Sequence, residues 1–491
     1  MNILLLLKAP HYLRPFATTV RELAERGHRI RIAWFAEART TREQVTEPFA
    51  DYPTVTFTTV AGARSVRRHE VAVLRRTWNY LRYLDEPYRV AEKLRKRALS
   101  KLWRIIREGN APLDAALEQT GTTLTVREVQ GLKSVLAYVE SLIPPDPECE
   151  AFLRESQADV LLVSPLVDLN SSTQADFVKA AAHVGVPVGM LVYSWDNLST
   201  KGGLHVMPDR VFVWNKHQRD EAIKLHAVPR ERLVITGAPR FDAFLACAPR
   251  LDRKTFCGSL GFDPTKPIVT YVCSSAFVSG HELPFVERWL RELRSSQSPI
   301  LRECNVLVRP HPDVALVSVE MPATKPEWGL DDIAAAVRRP FDDPRAVVLN
   351  TTSVTPQGLF ECLWHSSAIV GLNTSAEIEA GLVGRPVLSI KAGDAADGQE
   401  TTLHFHYLLQ EQGGFVQVAG SFAEHVDQLH QALSDALSCG KTARKLAFRF
   451  VRPHGPDVPV SRVLADAIER EFERGTIVST LGGRDVEPQR S

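Results

Sequence analysis

Long apolar runs are missing from this sequence. The opening MNILLLLKAP has five consecutive apolar residues, Ile3 to Leu7, before Lys8 and Pro10, whereas about 20 are needed to cross a bilayer. The stretch is expected to be a buried first strand rather than a signal-peptide core, so membrane contact has to be peripheral. Cysteine is sparse and patternless: 7 residues are scattered along the chain, none in a CxxC or Cys/His ligand spacing. That suits a reducing cytoplasm and predicts no structural zinc. Excess charge is also lacking, since 59 Lys and Arg against 58 Asp and Glu leave +1. Such a balance argues against a nucleic-acid binder that wraps phosphate over its whole surface, and only local charge remains informative.

What the chain does have is length and alternation. Its 491 residues, 44% hydrophobic, exceed one ordinary core and predict two or three domains. NILLLL, a helix with apolar residues from Phe16 to Leu23 closed by Gly27, and RIRIAWF read as a βαβ unit with parallel strands. The alternation resumes at ADVLLVSPL, PVGMLVYSW, RVFVWNK and ERLVITGAP. Residues 247–267 lose periodicity and gather Pro, Gly and charge, as a linker does. A second series follows through IVTYVCSS, CNVLVRPHP, AVVLN, SAIVGLN and RPVLSI. The expected fold is α/β, with two doubly wound Rossmann-type domains at about 1–250 and 251–475 facing a central cleft, where such folds bind ligands. Residues 476–491 read as a flexible tail.

A helical insert is expected at about 64–145. Residues 64–108 carry 14 Lys and Arg against five acids, with Trp78, Tyr80, Tyr83, Tyr88 and Trp103 interleaved. Two readings stay open. The helices pack an apolar stripe on the sheet and solvate a basic face, or the basic face meets anionic lipid headgroups or an anionic acceptor.

The strongest constellation is SAIVGLNTSAEIEAGLVGRPVLSI, residues 367–390. Asn373, Thr374 and Ser375 supply turn and N-cap groups, and a helix is expected from about Ala376 to Gly384. Free N–H groups and the positive dipole end at its start form an anion site. Glu377 and Glu379 lie in its first turns, where a carboxylate either holds a ribose diol or merely complements the dipole. In VLVRPHPD, Arg309 and His311 follow a buried strand into the expected cleft, where a guanidinium and an imidazole can neutralise a diphosphate. Ser274 and Ser275, in the loop after the strand of CSSAFVSGHE, offer hydroxyl and N–H groups to phosphate. In the first half, His11 occupies the loop after the first strand, where an imidazole can accept a hydroxyl proton or only cap the helix. Asp168 and Asp196, at other strand ends, compete for that role or orient the histidine.

NTSAEIEAGLVGRPVL resembles the nucleotide-binding turn and helix of the GT-B superfamily, especially the branch holding nonhydrolysing UDP-GlcNAc 2-epimerases and bacterial surface-polysaccharide transferases. The resemblance implies phosphate contacts at Thr374, Ser375 and the Ala376 backbone, and a ribose contact at Glu379. Asn373 stands where the epimerase pattern has an acid, and the Gly-Gly pair of that pattern is missing. The Arg-Pro-His-Pro element is similar to that of capsule Kdo transferases and CDP-glycerol glycerophosphotransferases, with His311 near the donor pyrophosphate. HYLRP resembles the His-x-x-x-Pro arrangement in which inverting GT-B enzymes carry a general base. VITGAPRFD is similar to the element before the interdomain linker of the same branch, where Arg240 and Asp242 clamp the linker or face the cleft. Chains of this superfamily often return a final helix to the first domain, which implies the same for the last helix here.

The stretch VYSWDNLSTKGGL, residues 192–204, resembles a loop of the surface-polysaccharide branch. It is expected at the cleft rim, with Trp195, Asp196, Asn197 and Lys201 on substrate and Gly202 and Gly203 keeping the loop mobile. Taken together, the resemblance implies a cytoplasmic GT-B glycosyltransferase, placed at most peripherally on the inner face of the plasma membrane. It would move sugar from a nucleotide-activated donor to a polysaccharide or lipid-linked acceptor. No DxD-type motif sits in a plausible loop, so no metal and no cofactor beyond the donor are expected, and no nucleic-acid partner. The alternatives are a CDP-glycerol-type phosphotransferase, a 2-epimerase, or a non-catalytic GT-B-like binding protein.

Overall fold

The computed structural model describes residues 1–35, 43–61, 67–106, 123–275, 278–279, 282–311, 336–349, 356–391, 399 and 402–473. The expected tail lies outside them. Strands β1 (Asn2–Leu7), β2 (Arg29–Phe35), β3 (Val55–Val60), β4 (Val160–Ser164), β5 (Val188–Leu191), β6 (Arg210–Val213) and β7 (Leu233–Ile235) form one sheet. Its order is β3-β2-β1-β4-β5-β6-β7, with all neighbours parallel. The unbroken apolar run of β1 suits a strand covered on both faces. Leu4 and Leu6 pack with Leu161, Val163 and Phe177 on one side, and Ile3, Leu5 and Leu7 with Phe16, Leu23 and Ile468 on the other.

The first crossover helix begins at Ala17, one residue later than the periodicity suggests, because Pro10–Phe16 forms a 3₁₀ segment. Pro10 and Pro15 have no N–H to donate, which favours a short tight turn over an α-helix. Gly27, at φ +87°, ends the helix in the left-handed region.

Strands β8 (Ile268–Val272), β9 (Asn305–Arg309), β10 (Val337–Arg338), β11 (Ala346–Leu349), β12 (Ala368–Gly371), β13 (Val387–Ile390) and β14 (Val416–Ala419) make the second sheet. Its order is β10-β11-β9-β8-β12-β13-β14, parallel throughout except for β10 against β11. The two halves are joined at several points. Ala238 N–H donates to Val451 O at 2.9 Å, and Arg452 pairs with Asp242 at 2.6 Å. The last helix, Val460–Phe472, buries Leu464, Ala465 and Ile468 in the first sheet's core. Its Glu469 meets Arg26 at 2.7 Å and His28 at 2.8 Å.

The insert between β3 and β4 holds helices Arg68–Arg82, Glu92–Ile106 and Val126–Leu142. Tyr80, Tyr83, Tyr88, Leu94, Leu99 and Trp103 give it a core of its own, shared with Leu169. One part of its basic character is not solvated. Arg75, Asn79 and Arg82, spaced as one helix face, are each 1% exposed and point inward. Arg75 meets Glu140 at 2.7 Å and Asp176 at 2.8 Å. Among the described residues no helix is long and apolar enough to cross a membrane.

Candidate functional site

In parallel sheets the strands end toward one side, and loops at those carboxyl ends build the site. On the second sheet, β12 ends at Gly371 and the chain turns through Asn373, whose φ is +105°. The helix Ser375–Val383 follows. Thr374 is its N-cap, and Glu377 completes a capping box by accepting Thr374 N–H at 3.0 Å. Glu377 is fully buried. Burial pushes its carboxyl up to about 8, despite hydrogen bonds from the Thr374 and Asn373 backbone and with a further push from Glu282. Ser375 and Ala376 open the helix in part-exposed positions, and Glu379 is half-buried one turn on. Burial raises Glu379 to about 6, against the pull of Arg240 and Arg309. One carboxyl therefore faces guanidiniums from both halves.

Arg309 ends β9 and donates from Nη1 to Gly358 O at 3.3 Å. His311 is part-exposed two residues later, and the last two residues of the RPHPD element, 312 and 313, lie outside the described residues. Ser274 corrects an expectation: it is fully buried, and its N–H donates to Glu282 at 2.7 Å rather than facing the cleft. Ser275 uses its carbonyl to close the turn to Val278 and Ser279, at 2.9 and 3.1 Å.

On the first half, β1 leads to His11, which is exposed, its ring 4.5 Å from that of Tyr12. Tyr12 in turn lies 4.5 Å from Tyr193. Burial first, then Tyr193, Asp168 and Asp196, raise the Tyr12 hydroxyl well above the ordinary range, which places both carboxylates near it. Asp168 pairs with Lys8 at 2.5 Å and accepts Asn170 N–H at 2.9 Å. Asp196 pairs with Lys201 at 3.0 Å and accepts Thr200 Oγ1–H at 3.0 Å. Burial disfavours its charge, but the charges of Lys201 and His404 and hydrogen bonds from Lys201 and Ser194 outweigh burial and hold it below the usual carboxylate range.

The rest of the WDNLSTKGG loop departs from the expectation of a mobile lip. Trp195 is 6% exposed and belongs to a core that includes Phe405 and Leu408 of the second half, so it is a joint between halves. Asn197 turns its Oδ1 back onto Tyr193 N and Ser194 N, both at 3.0 Å, and so holds the loop. A Cβ on Gly202 would meet Asp168 O at 2.2 Å, and one on Gly203 the Trp78 ring at 2.0 Å. These glycines permit close packing. Arg82 of the insert grips the same loop, donating to Lys201 O and Gly202 O at 2.8 Å each and to Leu198 O.

A residue without a sequence signal of its own, His404, bridges the two halves. His404 follows Thr402, whose Oγ1 accepts Asn373 Nδ2–H at 2.8 Å. The His404 ring sits edge-on to Trp195 with centroids 4.5 Å apart, and its Nδ1 is 3.2 Å from Ser199 Oγ. Burial lowers His404 to about 4, which keeps it neutral at ordinary pH. The turn at Asn373 is thus linked through Thr402 and His404 to the loop that carries Asp196 and Lys201.

No family model and no curated protein matches the sequence. Solved structures do resemble the fold. A UDP-N-acetylglucosamine 2-epimerase aligns over 98% of this chain and 99% of its own at 13% identity, with a TM-score of 0.50. The UDP-GlcNAc 2-epimerase from Neisseria meningitidis, bound to UDP-GlcNAc, aligns over 96% and 100% at 12% identity and TM-score 0.49. Acinetobacter baumannii MurG aligns over 95% and 99% at 11% and 0.45. With two sheets of parallel strands, β10 excepted, and a last helix returning to the first half, the chain has the GT-B fold.

Proposed function

We propose that the protein is a metal-independent glycosyltransferase that moves a sugar from a nucleotide-activated donor to a surface-polysaccharide or lipid-linked acceptor. The observation that carries this reading is the continuous link from the helix start beside Asn373, through Thr402 and His404, to the loop holding Asp196 and Lys201. A diphosphate at the helix start would meet free N–H groups and the dipole. Glu379 would accept from the ribose, while Arg309, with His311 nearby, would stabilise charge on the departing diphosphate without a cation. On the opposite wall, Asp196 is a poor base because its charge is so well paired. It positions Lys201 toward a phosphate, and His11 is the group that accepts the acceptor hydroxyl's proton. Asp168 and Lys8 line the acceptor side.

The insert supports an acceptor at a membrane surface. Its helix Val126–Leu142 exposes Leu132, Val135, Tyr138 and Leu142 near the basic helices, and apolar area combined with positive charge favours anionic lipid. This reading places the protein in the cytoplasm, bound peripherally to the inner face of the plasma membrane.

A thermal shift series with UDP, CDP, GDP, ADP and CMP tests the donor site. One nucleoside diphosphate should raise Tm, and Glu379→Ala should abolish most of that rise. Stabilisation that survives the substitution removes Glu379 from the ribose. Transfer should persist in EDTA; loss that magnesium or manganese restores would contradict metal independence. Epimer formed from UDP-GlcNAc with no acceptor, or glycerophosphate transfer from CDP-glycerol, would replace the glycosyl-transfer reading.

A further inference from the structure

A second recess opens away from the cleft, beside Ser367, which precedes β12, on the side opposite the turn at Asn373. Its walls are the linker segment at Arg250 and Arg253, the end of the helix Pro356–His365 with Trp364, and Arg385. Arg253 is fixed by donating to Pro264 O at 2.9 Å, His365 O at 2.8 Å and Lys266 O at 2.6 Å. Arg385 donates to Trp364 O at 2.5 Å and lies 5.6 Å from the centroid of the Trp364 ring. Arg250 is exposed at the rim.

Capping explains only part of this charge. The carbonyls of Trp364 and His365 end a helix, and the dipole there is worth roughly half a negative charge. Two full guanidinium charges exceed it by about one and a half units, and Arg250 adds another. Among the described residues no carboxylate lies within ion-pair distance of any of the three arginines. Asp252 on the recess wall and Glu361 nearby are held by backbone N–H groups, Glu361 by that of Arg250 at 2.6 Å and Asp252 by that of Thr255 at 2.7 Å; both keep their charge, so with the helix dipole they leave the three guanidiniums about half a unit in excess. Burial, and then the charge of Arg253, lower the Arg385 guanidinium, as expected of like charges held together without a counter-ion. The recess, about 600 Å³, is within the size range of small-molecule sites, and Trp364 is 37% exposed at its edge.

We propose that this recess binds a phosphate-bearing sugar, free or as a segment of a phosphorylated glycan, with the phosphate between Arg250, Arg253 and Arg385 and the sugar ring against the exposed edge of Trp364. The guanidiniums of Arg253 and Arg385 are held by carbonyls and by the indole before any ligand arrives, so little is lost in ordering them. The site does not depend on the activity proposed for the cleft.

Titration calorimetry with glucose 1-phosphate, inorganic phosphate and glucose tests it on the full chain. Glucose 1-phosphate should bind to wild type and to Arg309→Ala, and Arg250→Glu should weaken it by about tenfold or more. Trp364→Ala should reduce glucose 1-phosphate affinity while sparing that of inorganic phosphate. Equal affinity for both phosphates in wild type would overturn the sugar assignment. Binding lost in Arg309→Ala but kept in Arg250→Glu would assign the ligand to the cleft and overturn the second site, as would no binding of either phosphate. Circular dichroism of Arg250→Glu, a change at an exposed side chain, checks that a loss is not unfolding.

Discussion

At Gly203 the backbone passes so near the insert that an added Cβ would lie 2.0 Å from the Trp78 ring. Trp78 cannot easily withdraw, because His205 stands edge-on to it at 5.2 Å and Lys133 lies 4.8 Å from its ring centroid. Gly203→Ala is therefore expected to destabilise the protein by about 1–3 kcal/mol, the ordinary cost of overpacking a filled site. Combining it with Trp78→Ala should recover part of that loss. Chemical denaturation of the two single variants and the double variant measures this. A mobile loop would instead tolerate the alanine within about 0.5 kcal/mol.

The helix Arg68–Arg82 acts on that loop as a strap. Arg82 reaches the carbonyls of Leu198, Lys201 and Gly202 and the Tyr88 hydroxyl, all from a position 1% exposed. Arg82→Met keeps most of the stem volume but leaves Gly202 O without its side-chain donor, whereas Lys201 O keeps the Tyr83 hydroxyl at 2.7 Å and Leu198 O keeps His226 Nε2 at 2.7 Å. An unsatisfied buried group costs about 1–3 kcal/mol, so a loss of about 1–3 kcal/mol is expected, together with faster amide hydrogen exchange at residues 198–204. Unchanged exchange there would show that the strap does not hold the loop. The strand and helix alternation was legible in the sequence because buried parallel strands are apolar runs, as in β1 and β12, and because Gly27 and Gly384 mark helix ends. The capped helix after Asn373 was legible for the same reason. The inward face of the insert was not: Arg75, Asn79 and Arg82 fall at helical spacing, but polar residues at that spacing ordinarily face water. His404 was hidden for a different reason. Its partners, Ser199 and Trp195, lie about 200 residues away in sequence, and no local pattern encodes such a contact.

Over the whole molecule, buried titratable groups set how stability depends on pH. Burial raises Glu377 and Glu221 to about 8 and Glu282 to about 7. Burial lowers His404 to about 4 and His425 to about 3. A carboxyl raised on folding binds more protons in the folded state, so its contribution to stability falls as pH rises from its ordinary value of about 4.3 through the folded one. A histidine lowered on folding binds more protons when unfolded, so its contribution rises with pH up to about 6.5. The two effects oppose one another from about pH 4.5 to 6.5, and above that only the carboxyls still change. Stability is therefore expected to fall between about pH 6.5 and 8, with Tm dropping by about 2–4 °C for each kcal/mol lost. Glu377→Gln and Glu282→Gln, which keep the shape and remove the ionisation, should flatten that fall in calorimetric scans. A Tm that is level or rising across this interval in the wild type would mean that these carboxyls are solvated, and that the packing beneath the turn at Asn373 is looser than their burial implies.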